Sequence, residues 1–316
     1  MNQDANAILA LCSHLCVGEG VEPLEPREYS ELAQRLTQAE KTPGDLFRLS
    51  MEDCRQLLRL EEAQLQRIFR LLDRSASLSF ELGRYQNMGI AAVTRADTGY
   101  PAMLKQKLGN GCPPIFYCAG DLALLNRQYI GFVGARTVEQ RDVDFTIQSV
   151  GKISARGLGV VSGGARGIDS VAGTEALLRG GFCVEYLSDS MMKKLQKTDT
   201  VRNVQDGRLL LLSVAKPEGG FHVGLAMMRN RYIYAQSQAT VVVRSDLNKG
   251  GTWAGAEENL KNHYCPCLCW NHPYPGNQAL LQKGALPVDE SWDGGIPEQN
   301  KAREESFEQI SLFDGM

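Results

Sequence analysis

Over the first 85 or so residues, apolar side chains recur at spacings of three and four, in Ala5–Cys16, Pro26–Ala39, Met51–Leu57 and a long Glu61–Tyr85 stretch. That period gathers apolar groups on one face of a helix and predicts a small all-helical domain over residues 1–88. Ser50 stands ahead of Met51 with Asp53 close behind, the arrangement of an N-cap followed by an acidic first turn. GEG at 18–20 and PG at 43–44 break the helical runs. From residue 89 the pattern changes to short β-branched or apolar runs: GIAAVTR (89–95), PIFYCAG (114–120), YIGFVGA (129–135), GLGVVSG (157–163), GFCVEYL (181–187), RLLLLSV (208–214), ATVVVRS (239–245) and CPCLCW (265–270). Helical patterns over Gln140–Arg156, Ser170–Leu178 and Thr252–Asn262 separate several of them. Strand–helix alternation requires crossover connections, so residues 89–288 are predicted to form an α/β domain on a mostly parallel sheet. After GALPV the apolar pattern lapses, and 289–316 reads as a polar, acidic, flexible tail.

Composition narrows the class. A 316-residue chain with 43% hydrophobic residues can bury two ordinary cores. No apolar run approaches the roughly 20 residues of a membrane span. The N-terminal stretch lacks a positive region ahead of its apolar residues, so no secretory signal is expected. Nine cysteines, an odd number in mostly apolar contexts, read as reduced residues of a cytoplasmic protein. Charge is uneven: residues 1–88 carry 10 basic and 14 acidic side chains, 89–288 carry 22 and 15, and 289–316 carry 2 and 8. A basic central domain therefore lies between acidic flanks, which favours an anionic partner.

The basic residues fall in glycine turns. GFVGAR (131–136) and VVSGGARGIDSVA (160–172) are each an apolar strand running into a glycine-rich turn with an arginine, followed by a helical pattern. Such turns place backbone N–H groups, a helix N-terminus and a guanidinium around an anion. GFVGAR lacks the G-x-G-x-x-G spacing of the dinucleotide fingerprint, and VGAR alone also fits a plain strand end. In SGGARGID, Gly163, Gly164 and Gly167 permit close backbone approach, and Asp169 either caps the next helix or bonds back across the turn. In RNRYIYAQS (229–237), Arg229 and Arg231 lie two apart and cannot share a helix face, so one is expected on phosphate and the other in a structural role. Asn230 suits a cap or sharp turn. Several arginine-bearing turns make a surface for several phosphates, which points to nucleic acid. Phe132, Tyr232, Tyr234 and Trp253 could stack bases; core packing is the expectation for Phe132 and Tyr234, and Trp253 stays open.

The order and spacing of YPAML (100–104), PPIFYCAGDL (113–122), VGAR (133–136), VVSGGARGID (160–169), GTEALLRGG (173–181), RNRYIYAQS and GNQALLQKGA (276–285) resemble the DNA-processing protein A family (DprA, or Smf) over about 190 residues. The resemblance implies an extended Rossmann-like fold behind a sterile-alpha-motif-like helical domain, single-stranded DNA binding, dimers, and loading of the RecA recombinase. It implies that Gly134, Arg136, Gly163, Gly164, Arg166 and Gly167 line a phosphate pocket, and that Arg229, Asn230, Arg231 and Lys249 extend it along the strand. No cofactor is implied. The chain departs from the family where Gly173 replaces a histidine, where Ser213–Val214 replaces serine–glutamate, and at NKGGTWAG (248–255); Ser188–Gly207 is hard to place.

A second reading comes from GGTWAGAEE (250–258), similar to the G-G-x-G-T-x-x-E motif of nucleotide phosphoribohydrolases. Here Gly255 stands in the place of the glutamate and Glu257 comes two residues later, a shift of about 200° on a helix that turns the carboxylate away from a glycosidic carbon. A non-enzymatic role is therefore expected. His263, Cys265, Cys267, Cys269 and His272 have strand spacing unlike structural zinc knuckles, so buried cysteines are expected and no metal. In the tail, Gln309, Ile310, Ser311, Leu312 and Phe313 resemble the bacterial sliding-clamp-binding peptide, in which glutamine fills a polar pocket and Leu312 and Phe313 an apolar one. The alternative is an apolar pair that docks back on its own domain.

Overall fold

The structure, a computed structural model, describes residues 2–296. In chain order it opens with α1 (Gln3–Cys12), α2 (Pro26–Gln38), α3 (Met51–Leu58), α4 (Glu62–Leu72) and α5 (Ser75–Gln86). Next come β1 (Ala91–Thr94), α6 (Ala102–Leu108), β2 (Ile115–Ala119), β3 (Tyr129–Val133), α7 (Gln140–Ala155), β4 (Gly159–Ser162), α8 (Ile168–Leu178) and β5 (Cys183–Tyr186). The remainder is α9 (Met191–Lys194), α10 (Thr198–Gln205), β6 (Leu209–Ser213), α11 (Val223–Gln236), β7 (Ala239–Val242), α12 (Gly250–Asn262), β8 (Cys267–Trp270), α13 (Pro275–Gln282) and β9 (Leu286–Val288). Among the described residues no helix is long and apolar enough to cross a membrane.

The α/β class and the mostly parallel pairing are as the sequence predicts, and all eight expected strands are present. β9 is the addition. Its three residues include Pro287, which suits an edge and hides a strand from pattern reading. Ser50 and Asp53 form the expected cap: Ser50 Oγ accepts from Asp53 N at 3.1 Å and Asp53 Oδ2 accepts from Ser50 N at 2.9 Å. The long Glu61–Tyr85 run is two helices rather than one. At the break, the Arg74 guanidinium donates to the carbonyls of Ala10, Ser13 and Leu15, satisfying the open C-terminal end of α1.

The chain forms two compact units that cut across the division expected at residue 88. The first joins residues up to Asn126 with Val184–Ala226. In it β2 pairs antiparallel with β1 and with β6, and a Ser13–Tyr117 hydroxyl bond of 2.8 Å fixes α1 against β2. Ser188–Gly207, unplaced by sequence, supplies α9 and α10 here. The second unit joins Arg127–Cys183 with the chain from Met227 onward. Its strands run β4-β3-β7-β8-β9, all parallel. β3 lies inside this set with every residue buried, which is why it reads as an unbroken apolar run. Residues 289–296, predicted to begin a flexible tail, instead lie along α7. Residues 309–313, the clamp-like peptide, lie outside the described residues.

Cys265, Cys267 and Cys269 are buried, and among the described residues no cluster of three or more His, Cys, Asp or Glu is arranged for a metal. Burial pushes the Cys269 thiol up to about 12 and the Cys118 thiol up to about 11, and raises Cys12 and Cys267 further. Cys16 alone among the nine is exposed. A thiol-reactive aromatic disulfide should therefore label one cysteine rapidly in the native protein and the rest only on unfolding. Three or more fast thiols at pH 8 would contradict this burial.

Candidate nucleic-acid interface

β4, β3 and β7 are parallel, so their carboxyl ends share one edge, and the arginine turns grow from that edge. β3 ends at Val133 and continues as Gly134-Ala135-Arg136; β4 ends at Ser162 and continues through 163–167 into α8. Two helix starts close on the first of these turns. Ile168 N donates to the Ala135 carbonyl at 3.3 Å, and Thr252 Oγ1, in the first turn of α12, donates to the Gly134 carbonyl at 3.0 Å. The N–H groups at a helix start have no partner within the helix and carry the positive end of its dipole. Here α8 and α12 bring two such ends beside the segment that follows β3. Arg136 and Arg166 are exposed, and exposed Lys249 is the N-cap residue of α12. All these residues belong to the second unit.

Beneath the exposed layer the turn is held by a buried ion pair. Asp169 Oδ2 accepts from Gly163 N at 3.1 Å and from Arg229 Nη1 at 2.9 Å. Asp169 thus bonds back across the turn, and Gly167 takes the N-cap place. The Asp169 and Arg229 side chains are only 8% and 7% exposed. Gly163 is required by this pair, because a Cβ there would stand 1.0 Å from Arg229 Nη1. Gly164 N donates to Ser162 Oγ at 3.2 Å.

The RNR triplet therefore divides its work three ways. Arg229, expected to extend the phosphate row, is turned inward and secures the turn through Asp169. Asn230 is in the interior of α11 rather than at a cap or sharp turn, and its Nδ2 donates to the Gly251 carbonyl at 2.9 Å, fixing the start of α12. Arg231 is exposed and paired with Glu258 of α12.

A second buried carboxylate steadies the far end of the Arg136 turn. Asp142 in the first turn of α7 accepts from Tyr274 Oη at 2.7 Å, from Glu139 N at 2.8 Å and from Arg244 Nη1 at 3.1 Å. Arg244 Cζ lies 4.5 Å over the Tyr274 ring, and burial together with the bond to Asp142 pushes the Tyr274 hydroxyl up to about 12. Asn277 ties the ends of β7 and β8 together: Nδ2 donates to the Val243 and Trp270 carbonyls at 2.9 Å each, and Oδ1 accepts from Ser245 N at 2.9 Å. Sequence reasoning missed Asp142, Tyr274, Thr252 and Asn277 as parts of the site. Only the asparagine in GNQALLQKGA carried a signal.

Phe132, Tyr232, Tyr234 and Trp253 are all buried. Tyr232 and Trp253 are thus core residues rather than open stacking faces, and Lys283 Nζ lies 5.8 Å over the Trp253 ring. Gly255 faces Asn230 and Tyr234, with 3.2 Å to each from a Cβ placed there, and Glu257 is paired with Lys283 at 3.0 Å. Glu257, two residues beyond the glutamate position of the phosphoribohydrolase motif, thus faces Lys283 at the C-cap of α13.

Comparison with curated protein sequences gives no match. Among solved structures, the chain is similar to the DNA processing protein A of Streptococcus pneumoniae, at 19% identity and TM-score 0.65, over 84% of this chain and 95% of that one. It is also similar to the DNA processing protein A of Helicobacter pylori, described by its single-stranded DNA binding mode, at 21% identity and TM-score 0.52, over 71% and 96%. At these identities the likeness shows a shared fold. The profile of DNA recombination-mediator protein A matches residues 91–293, well over half the chain, and takes in both arginine turns, the RNR helix and Asn277. The chain belongs to the DNA recombination-mediator protein A family, the DNA-processing A proteins.

Proposed function

We propose that the protein binds single-stranded DNA through Arg136, Arg166 and Lys249, set around the β3 and β4 turns and the starts of α8 and α12. The observation that carries this reading is the convergence of two helix N-termini and three exposed cations on one strand edge. Gly134, Gly163 and Gly167 let the turns close, since a Cβ at each would strike Ile168, the Arg229 guanidinium and the Ala135 carbonyl, and Arg231 flanks the same helices. In this reading Arg229 and Asn230 act from beneath. The H. pylori relative, whose structure is described by its single-stranded DNA binding, supports the same ligand here. As a recombination mediator the protein would hand its strand to the RecA recombinase, act as a homodimer in the cytoplasm, and be tethered to the sliding clamp through Gln309, Leu312 and Phe313.

The test is anisotropy of a labelled oligothymidylate across a salt series, with wild type and Arg136→Ala/Arg166→Ala. Wild type is expected to bind with a steep salt dependence, and the double variant to lose about 0.7 in slope for each phosphate contact removed. An unchanged slope in a folded double variant would remove these arginines from the interface. No binding by wild type at low salt would end the single-stranded DNA reading.

A further inference from the structure

Arg244 follows the carboxyl end of β7 and carries a cation that the phosphate row above does not use. Val133 pairs with Val242, and Val243 N donates to the Val133 carbonyl at 3.0 Å, so Arg244 comes up beside the segment Gly134-Ala135-Arg136. Its guanidinium is held in one place. Nη1 donates to Glu139 Oε1 at 2.9 Å and to Asp142 Oδ2 at 3.1 Å. Cζ lies 4.5 Å over the ring of Tyr274, whose hydroxyl is itself bound to Asp142. The side chain is still 24% exposed. Among the described residues nothing accepts from Nε or Nη2, and neither atom is buried.

Nε–H and one N–H of Nη2 point the same way along one side of the guanidinium plane, so a complete two-donor fork stays open while Nη1 is pinned. Such a fork matches a carboxylate, a phosphate, or two neighbouring acceptors on a base edge. The surroundings choose among them. Asp142 is fully buried, and Glu139 also pairs with exposed Arg141 at 2.7 Å, so two arginines and two carboxylates make a neutral cluster. A phosphate would gain no net attraction there and would approach two fixed negative groups. A neutral base edge meets no such penalty. Guanine presents O6 and N7 side by side, both acceptors, whereas adenine, thymine and cytosine each put a donor or a methyl group in that edge.

We propose that Arg244 reads a guanine of the bound strand, donating from Nε and Nη2 to O6 and N7, while Arg136, Arg166 and Lys249 hold the strand's phosphates. The inference rests on the single-stranded DNA reading above and adds to it a base preference at one position of the strand. Arginine is required for this role, because a lysine ammonium cannot hold two carboxylates on one side and offer two parallel donors on the other.

The experiment measures anisotropy with the full chain and labelled strands of equal length: oligothymidylate, the same strand with isolated guanines among the thymines, and that strand with 7-deazaguanine in place of guanine. The guanine strand is expected to bind at least about fivefold more tightly than oligothymidylate, with the same salt slope. The 7-deazaguanine strand, which lacks the N7 acceptor, should lose most of that gain. Equal Kd values for the guanine and thymine strands, or a gain kept in full by 7-deazaguanine, would overturn the proposal and leave the DNA reading standing. Failure to bind any strand would sink the DNA reading and this proposal with it. Arg244→Lys and Arg244→Met are expected to bring the ratio of the guanine and thymine Kd values to one, a readout that a general loosening of the turn does not move. A ratio that survives both variants would assign the preference to another group, and a salt slope lowered by about 0.7 alongside it would make Arg244 a phosphate contact.

Discussion

Gly167→Ala is expected to destabilise the protein by more than about 2 kcal/mol and to weaken single-stranded DNA binding by about tenfold or more. Two causes act at one atom. Gly167 has φ +92° and ψ −137°, a region that residues with a Cβ avoid, at a cost of about 1–3 kcal/mol. The added Cβ would also stand 2.2 Å from the Ala135 carbonyl oxygen and 2.7 Å from Arg136 Cα. Those neighbours are backbone and cannot rotate aside, so the β3 turn and the start of α8 must separate. That separation moves Arg136 relative to Arg166, and with it the spacing of the phosphate contacts. Gly157→Ala is the control: its φ is +74°, but nothing lies within 4 Å of the new Cβ. It should cost about 1 kcal/mol in urea denaturation and leave DNA binding intact. If Gly167→Ala matched Gly157→Ala in both measurements, the tight closure of the two turns would not be what builds the site.

That closure shows where the sequence was legible and where it was not. The strands of the second unit other than β9 announced themselves because a parallel strand buried on both faces reads as a near-continuous apolar run, and the turns because glycine and arginine together are rare in a core. The pairing of Asp169 with Arg229 left no local trace. The two are 60 positions apart, and an arginine in a basic domain reads as a ligand contact until its burial is known. The same blindness made Tyr232 and Trp253 look available for stacking. It hid the break at Arg74, whose guanidinium bonds the carbonyls of Ala10, Ser13 and Leu15 at the end of α1 and just beyond it. Residues 289–296 illustrate the opposite error. Their acidic, glycine-containing composition suggested disorder, but the Gln148–Lys152–Arg156 row gives them a docking site that composition cannot display. Division at residue 88 failed to match the compact units for a related reason: periodicity marks where helices give way to strands, not which strands a helix packs against.

The buried pair beneath the turn is expected to matter for stability far more than any exposed arginine. Arg229→Met leaves the Asp169 carboxylate buried without its cation and should cost about 3–5 kcal/mol; Asp169→Asn should cost a similar amount by stranding the guanidinium. Lysine is no remedy at position 229, because a single ammonium cannot lie flat against Gly163 as the planar guanidinium does. The double variant Asp169→Asn/Arg229→Met removes both charges together and should recover part of the loss, with a coupling energy of about 1–3 kcal/mol in the urea cycle. Additive losses would mean that the two side chains act independently. The double variant also separates support from contact. With Arg229 only 7% exposed and its Nη1 bound to Asp169, it should bind DNA more weakly, through a loosened turn, while keeping the wild-type salt slope. A slope reduced by about 0.7 would instead make Arg229 a phosphate ligand, released from Asp169 when DNA arrives. Exposed Arg136 and Arg166 give the reverse pattern, a lost slope with little lost stability, so the two pairs of variants together distinguish the residues that hold the turn from those that meet the strand.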